Sequence, residues 1–179
     1  MELENKRIAI LAEKLYEDLE LWYPLIRMRE AGADIFVIGA EGDDSYTGKH
    51  GLTVSVDMTD REGADRDFDA VIIPGGFAPD YMRRHAGMLD LVRKVHDRGG
   101  VIAFICHAGW VPISANIVKG RKVTSVASIK DDLINAGAAW EDDGLVEDDT
   151  IISAQGPDDL PLFCKAIIAR LQNSEDRSQ

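Results

Sequence analysis

The order of hydrophobic periods along the chain predicts an α/β fold: a mostly parallel sheet covered by helices on both faces, with one small antiparallel excursion. Three observations lead there. Short, almost wholly apolar runs recur at Arg7 to Ala12, Asp34 to Gly39, Ala70 to Ile73 and Val101 to Ile105, with the length and composition of strands buried on both faces. Stretches with apolar residues at helical spacing lie between them, and Gly or Pro closes most segments, as at Gly32, Pro74-Gly75-Gly76 and Gly99-Gly100. Strand, helix, strand in this rhythm is how a parallel sheet is wound.

In order, Arg7 to Ala12 is the first strand, and Leu19 to Ala31 is a helix ended by Gly32. Asp34 to Gly39 is the second strand. Asp44 to Asp57 alternates and carries Gly48 and Gly51, which predicts the antiparallel excursion, and Met58 to Asp69 reads as a polar connection. Ala70 to Ile73 is a strand. Asp80 fits a helix N-cap for the turn Asp80 to Arg84, Met88 to Arg98 is a helix, and Val101 to Ile105 is the strand before Cys106. A helix over Ile129 to Ala136, short strands at Leu145 to Glu147 and Ile151 to Ser153, and a long helix over Leu160 to Leu171 complete the pattern. Asn173 to Gln179 is expected to fray. At 179 residues, without an internal repeat or a linker-like tract, one domain spanning 1–179 is expected.

Thirty-two acidic against twenty basic residues give a net charge of −12, which repels nucleic acid and anionic lipid alike. No run reaches the roughly 18 apolar residues of a membrane span. With two cysteines, Cys106 and Cys164, and no signal-like leader, a reduced, cytoplasmic protein without structural disulfides is expected. The acidic clusters Glu141-Asp142-Asp143 and Glu147-Asp148-Asp149 read as solvated loop surface, and neither a metal nor a cofactor is called for.

The strand Val101 to Ile105 ends on Cys106 and His107, followed by small residues and a helical pattern. A strand-to-helix turn lifts the side chain at its apex off the sheet, with Gly109 giving room for the bend. The field of a helix start favours thiolate. A small buried cysteine capping a core strand fits the local string equally well.

Ligands of open parallel sheets collect beyond the carboxyl ends of the strands. Three loops there are chemically loaded: Glu17-Asp18-Leu19-Glu20, Pro74-Gly75-Gly76 and Cys106-His107. Glu17 is either a first-turn carboxylate answering the helix dipole, a task Glu20 could share, or a protonated carboxyl beside Cys106. Gly75-Gly76 is either a plain turn or a pair of residues whose N–H groups approach an oxyanion. Adjacent side chains diverge, so His107 is expected to reach the sulfur poorly. Gly75, Ala108 and Trp110 are candidate pocket residues, with core or interface packing the alternative for Trp110 and for Tyr81.

The strings Tyr16-Glu17-Asp18-Leu19-Glu20-Leu21, Gly48-Lys49-His50-Gly51, Pro74-Gly75-Gly76, Ile105-Cys106-His107, Ile129 to Gly137 and Pro157 to Pro161 together resemble the DJ-1/PfpI superfamily, in its PfpI-like branch, collinearly from about Arg7 to Leu171. The resemblance implies a flavodoxin-like sandwich, a nucleophilic Cys106, Glu17 hydrogen-bonded to its sulfur, and an oxyanion hole from the Gly76 and His107 backbones. It further implies His107 paired with an acidic residue of a neighbouring subunit, here Asp80, in homodimers or hexamers. The chain departs from the family at Ala108-Gly109-Trp110, where Gly-Pro often follows the histidine, at Asp80, where Glu is found, and at Gln155, where many relatives have Arg. Three functions are compatible with the resemblance. One is a cofactor-independent enzyme on small reactive aldehydes, of glyoxalase or protein-deglycase type, in which Glu17 and His107 move protons around a Cys106 hemithioacetal formed with a small aldehyde or a glycated protein. The second is an intracellular cysteine peptidase completed across an interface. The third is a redox sensor or chaperone that signals through oxidised Cys106.

Overall fold

The computed structural model describes residues 1–176. Five wholly or largely apolar segments form the centre: β1 (Arg7–Leu11), β2 (Asp34–Gly39), β6 (Ala70–Ile73), β7 (Val101–Ile105) and β11 (Ile151–Ala154). Their side chains are buried on both faces along β6 and β7, which is why the sequence shows runs there rather than alternation. Two edge strands, β5 (Met58–Thr59) and β10 (Leu145–Asp148), extend the sheet to seven in the order β10-β11-β7-β6-β1-β2-β5. All pairs are parallel except β10 with β11, and register runs from Ile8 opposite both Ile35 and Ala70 to Ile73 opposite Phe104. This is the flavodoxin-like sandwich.

Helix α1 (Asp18–Ala31) packs against α7 (Leu160–Asp176), which also covers β7 and β11. On the other side α4 (Ala86–Asp97) lies on β6 and β7 and contacts α2 (Asp60–Ala64). The short helices α3 (Ala78–Met82), α5 (Trp110–Ser114) and α6 (Lys130–Asn135) gather near the carboxyl ends of the central strands. The antiparallel excursion is the hairpin β3 (Ser45–Thr47) and β4 (Thr53–Ser55). The chain moves outward from β1 to β2 and then crosses to β6 on the other side of β1, so β1 and β6 flank the point where the winding reverses. A crevice opens there in such sheets.

Several local expectations are corrected. The polar connection Met58 to Asp69 contains β5 and α2, whose start is fixed by a capping box: Glu62 N–H donates to Thr59 Oγ1 and Thr59 N–H to Glu62 Oε2 at 2.8 Å. Asp80 is not an N-cap but a first-turn residue of α3, with Pro79 before it setting the helical φ. A two-residue parallel ladder, β8 (Lys122–Val123) with β9 (Ala139–Trp140), was too short to leave a period. The last helix continues beyond Leu171 to Asp176, and 177–179 of the expected frayed tail lie outside the described residues. Among the described residues no helix is long and apolar enough to cross a membrane.

Candidate active site

Cys106 leaves β7 with φ +61°, a left-handed conformation that costs a non-glycine residue on the order of 1–3 kcal/mol. The bend is therefore made by the cysteine itself. Gly109 has ordinary φ of −53°, and its missing Cβ instead admits α6, since a methyl there would meet Ile129 Cδ1 at 3.1 Å. A single 3-10 turn, Cys106–Gly109, follows the strand and runs into α5.

Four groups surround the sulfur. The backbone N–H groups of Gly76 and His107 face it and favour its charged form. His107 Nδ1 lies 3.3 Å from Sγ, so the imidazole reaches the sulfur after all, contrary to the expectation from adjacent side chains. The strained turn and a contact from His107 Nε2 to Ser128 Oγ at 3.1 Å hold the ring there. The fourth group is a carboxyl, and it belongs to Glu20 rather than Glu17.

Helix geometry explains that correction. Glu17 occupies the N-cap of α1, with extended φ/ψ of −71° and 117°, and turns sideways to the hairpin. Its Oε2 lies 2.8 Å from Lys49 Nζ and its Oε1 3.4 Å from His50 Nε2. Glu20 is one turn further in, on the inward face with Leu21, Pro24, Leu25 and Met28, and has no exposed surface. Its Oε2 accepts the Gly75 N–H at 2.7 Å, while Oε1 is buried without a hydrogen-bond partner among the described residues. Cys106 stands beside this carboxylate, and each group perturbs the other's titration.

Backbone pairing locks these parts together. Tyr16 bridges Gly76 antiparallel, Glu17 N–H donates to Gly75 O at 3.1 Å, and Phe77 N–H donates to Leu15 O at 3.0 Å. Both glycines are required by close approach. A Cβ on Gly75 would meet Glu20 Oε2 at 2.6 Å and Cys106 Cβ at 2.8 Å. Gly76 has φ +78°, and a Cβ there would meet Glu17 N at 2.5 Å. The hairpin is tied to the same turn, because Asp18 accepts the His50 and Leu52 N–H groups at 2.8 Å each and Lys49 N–H donates to Tyr16 O at 2.9 Å.

The electrostatics differ from a simple helix-start thiolate. Burial first, then the Glu20 charge, push the Cys106 thiol up to about 12, opposed by the His107 and Gly76 N–H groups. Burial, with the nearby Glu17 charge, pushes Glu20 up to about 7, opposed by the Gly75 N–H, by the neighbouring Cys106 and by Lys49. The 3-10 turn and five-residue helix behind Cys106 carry too small a dipole to overcome desolvation. Glu20 and Cys106 therefore form one coupled site, and the sulfur becomes an anion when Glu20 holds the shared proton. Burial lowers His107, with Lys49 contributing, so its imidazole is neutral at neutral pH.

The remaining predicted residues are placed less centrally. Asp80 pairs with the Arg84 guanidinium and is half exposed, so within one chain it is not brought to His107. Ala108 is fully buried and belongs to the core rather than a pocket. Trp110 tilts against His107 with ring centroids 5.4 Å apart, and its indole N–H donates to Asp132 Oδ2 at 2.8 Å. It lines a groove of about 410 Å³ with Arg83, Ile113, Asp132 and Asn135. Gln155 donates to Asp142 Oδ1 at 3.0 Å. Tyr81 is flanked by Lys14 and Arg84, whose charges lie 4.3 and 5.1 Å from its ring centre.

Lys49 and Ser128 were not singled out from the sequence as site residues. Glu20 was considered only as a dipole partner, although its spacing of one, four, five and eight residues from Leu21, Pro24, Leu25 and Met28 placed it on the inward face.

The model of the DJ-1/PfpI family matches residues 6–170. The chain is similar to Deglycase PfpI of Pyrococcus furiosus, 38% identical over 166 residues that cover 93% of this chain and 99% of the relative. A second deglycase, from Thermococcus kodakarensis, is 39% identical with the same coverage. Among solved structures, DJ-1beta of Drosophila melanogaster superposes with a TM-score of 0.88 at 27% identity, covering 93% of this chain and 90% of that one.

Proposed function

The chain belongs to the DJ-1/PfpI family, and from that premise we propose that it is a cysteine-dependent enzyme acting on small reactive aldehydes, of glutathione-independent glyoxalase or protein-deglycase type. The observation that carries the reading is a sulfur faced by two backbone N–H groups and the His107 ring, with a fully buried carboxyl beside it. Deglycase names among the relatives support the substrate class.

For methylglyoxal, Glu20 takes the thiol proton as the Cys106 sulfur adds to the aldehyde carbon, forming a C–S bond and an oxyanion. The Gly76 and His107 N–H groups that face the sulfur are the donors available to that oxyanion. The resulting hemithioacetal loses the hydrogen on its first carbon as a proton, and a proton is returned to the neighbouring carbonyl carbon. Glu20 and the neutral His107 are the groups within reach for these transfers. The internal rearrangement gives a thioester of the hydroxy acid, and water releases lactate and regenerates the thiol. One methylglyoxal and one water give one lactic acid, with no external oxidant. Reversal of early aldehyde adducts on protein amines would use the same addition.

The test is lactate formation from methylglyoxal without glutathione. Wild-type protein is expected to form it and Cys106→Ala to lose it entirely; equal rates in the two proteins would overturn the proposal.

A further inference from the structure

Lys49 is not explained by the hairpin that carries it. Asp18 closes the turn around Gly48 so tightly that a Cβ on the glycine would overlap its carboxylate, and both Asp18 oxygens are taken by hairpin N–H groups. The side chain of Lys49 takes no part in this closure. It is two-thirds buried and runs to Glu17 Oε2. Its backbone N–H meets Tyr16, which bridges Gly76, whose own N–H faces the sulfur. Hairpin, α1 turn and nucleophile are thus joined through two consecutive backbone contacts and the Gly76 N–H.

Glu20 from α1 and His107 from its own turn stand at the sulfur; next to them Lys49 from the hairpin pairs with Glu17 from the turn before α1, both close enough to act on Glu20, and His50 also reaches Glu17. Burial lowers His107, which leaves Lys49 as the cation of this set. Were Lys49 uncharged, the Glu17 charge would stand uncompensated next to Glu20, beside a sulfur that must itself become negative.

We propose that Lys49 is a positioning residue for the nucleophile: its ammonium, clamped by Glu17 at the mouth of the site, supplies the positive charge against which the Cys106 thiolate forms. Glu17 acts through the lysine, setting how much of that charge the sulfur feels. The inference rests on Cys106 being the reactive group of the proposed enzyme. Its test needs no aldehyde turnover, so failure of the lactate assay and failure of this inference are separate results.

The experiment is alkylation of Cys106 by iodoacetamide across about pH 6 to 10, with rates read by peptide mapping and the buried Cys164 as the folding control. Lys49→Met is expected to move the first rise of the profile up by about one pH unit, a tenfold slower reaction at fixed pH below it, and Lys49→Arg to restore the wild-type profile. Glu17→Gln is expected to move the rise down and speed alkylation. The double variant Glu17→Gln/Lys49→Met is expected to return close to wild type, because both charges of the pair have gone. Profiles that superpose for wild type and Lys49→Met would overturn the inference. So would an upward shift in Glu17→Gln, which would place Glu17 in direct contact with the sulfur's proton. If Lys49→Met does not fold, the direction of the Glu17→Gln shift alone decides.

Discussion

The Gly75 N–H donates to Glu20 Oε2 at 2.7 Å, and this bond holds a carboxyl with no exposed surface against Cys106. A backbone donor from the β6 turn thereby fixes a side chain from α1 beside a nucleophile from β7. Because Gly75 has no Cβ, the approach is possible at all.

Glu20→Gln keeps an acceptor for the Gly75 N–H and removes the titratable proton. Lactate formation from methylglyoxal is expected to fall by a factor of about 100 or more, the usual weight of a positioned acid or base. The rate at substrate saturation checks it.

Stability carries the same signature. Glu20 is raised from 4.5 to about 7 in the fold, so the folded protein binds this proton more tightly than the unfolded chain does. The contribution of this group is full below about pH 4.5 and is lost as pH rises through 7. Relative to Glu20→Gln, the wild type should therefore lose up to about 3 kcal/mol between pH 4.5 and 8. Denaturant unfolding of both proteins at the two ends of that window measures it.

Gly76→Ala combines φ of +78° with a Cβ placed 2.5 Å from Glu17 N and 2.6 Å from Leu15 O, both backbone atoms with no freedom to move aside. Loss of about 2–4 kcal/mol is expected, together with slower turnover as the N–H leaves the sulfur. Thermal unfolding and the lactate assay report the two effects separately.

Asp18→Ala leaves the His50 and Leu52 N–H groups without acceptors. The hairpin over residues 45–55 should loosen while the sheet remains, since hydrogen bonds to a charged acceptor contribute about 1.5–3 kcal/mol each. Hydrogen exchange is expected to speed at these two amides and to leave those of β6 and β7 unchanged.

The central strands were legible because burial on both faces leaves uninterrupted apolar runs, as Ala70 to Ile73 and Val101 to Ile105 show. Cys106 and the Gly75-Gly76 turn were legible from their places after such runs. What misled was α1. Leu19, Tyr23 and Ile26 are apolar yet exposed, which blurred the inward face and hid Glu20 among residues that looked solvated. The reach of the His107 ring to the sulfur escaped for a different reason, since only the left-handed Cys106 backbone brings the ring back over it. Lys49 lies 57 residues from Cys106 and is brought to Glu17 by a turn whose register Asp18 sets, so the Gly48-Lys49-His50-Gly51 string marked the turn without showing which side chain it faces.

The most direct measurement is peptide mapping of protein quenched during turnover of methylglyoxal. An adduct of one substrate mass on the peptide bearing Cys106, absent from Glu20→Gln quenched at the same time, is the predicted result. Adducts confined to lysine and arginine peptides, with Cys106 unmodified while lactate accumulates, would contradict it.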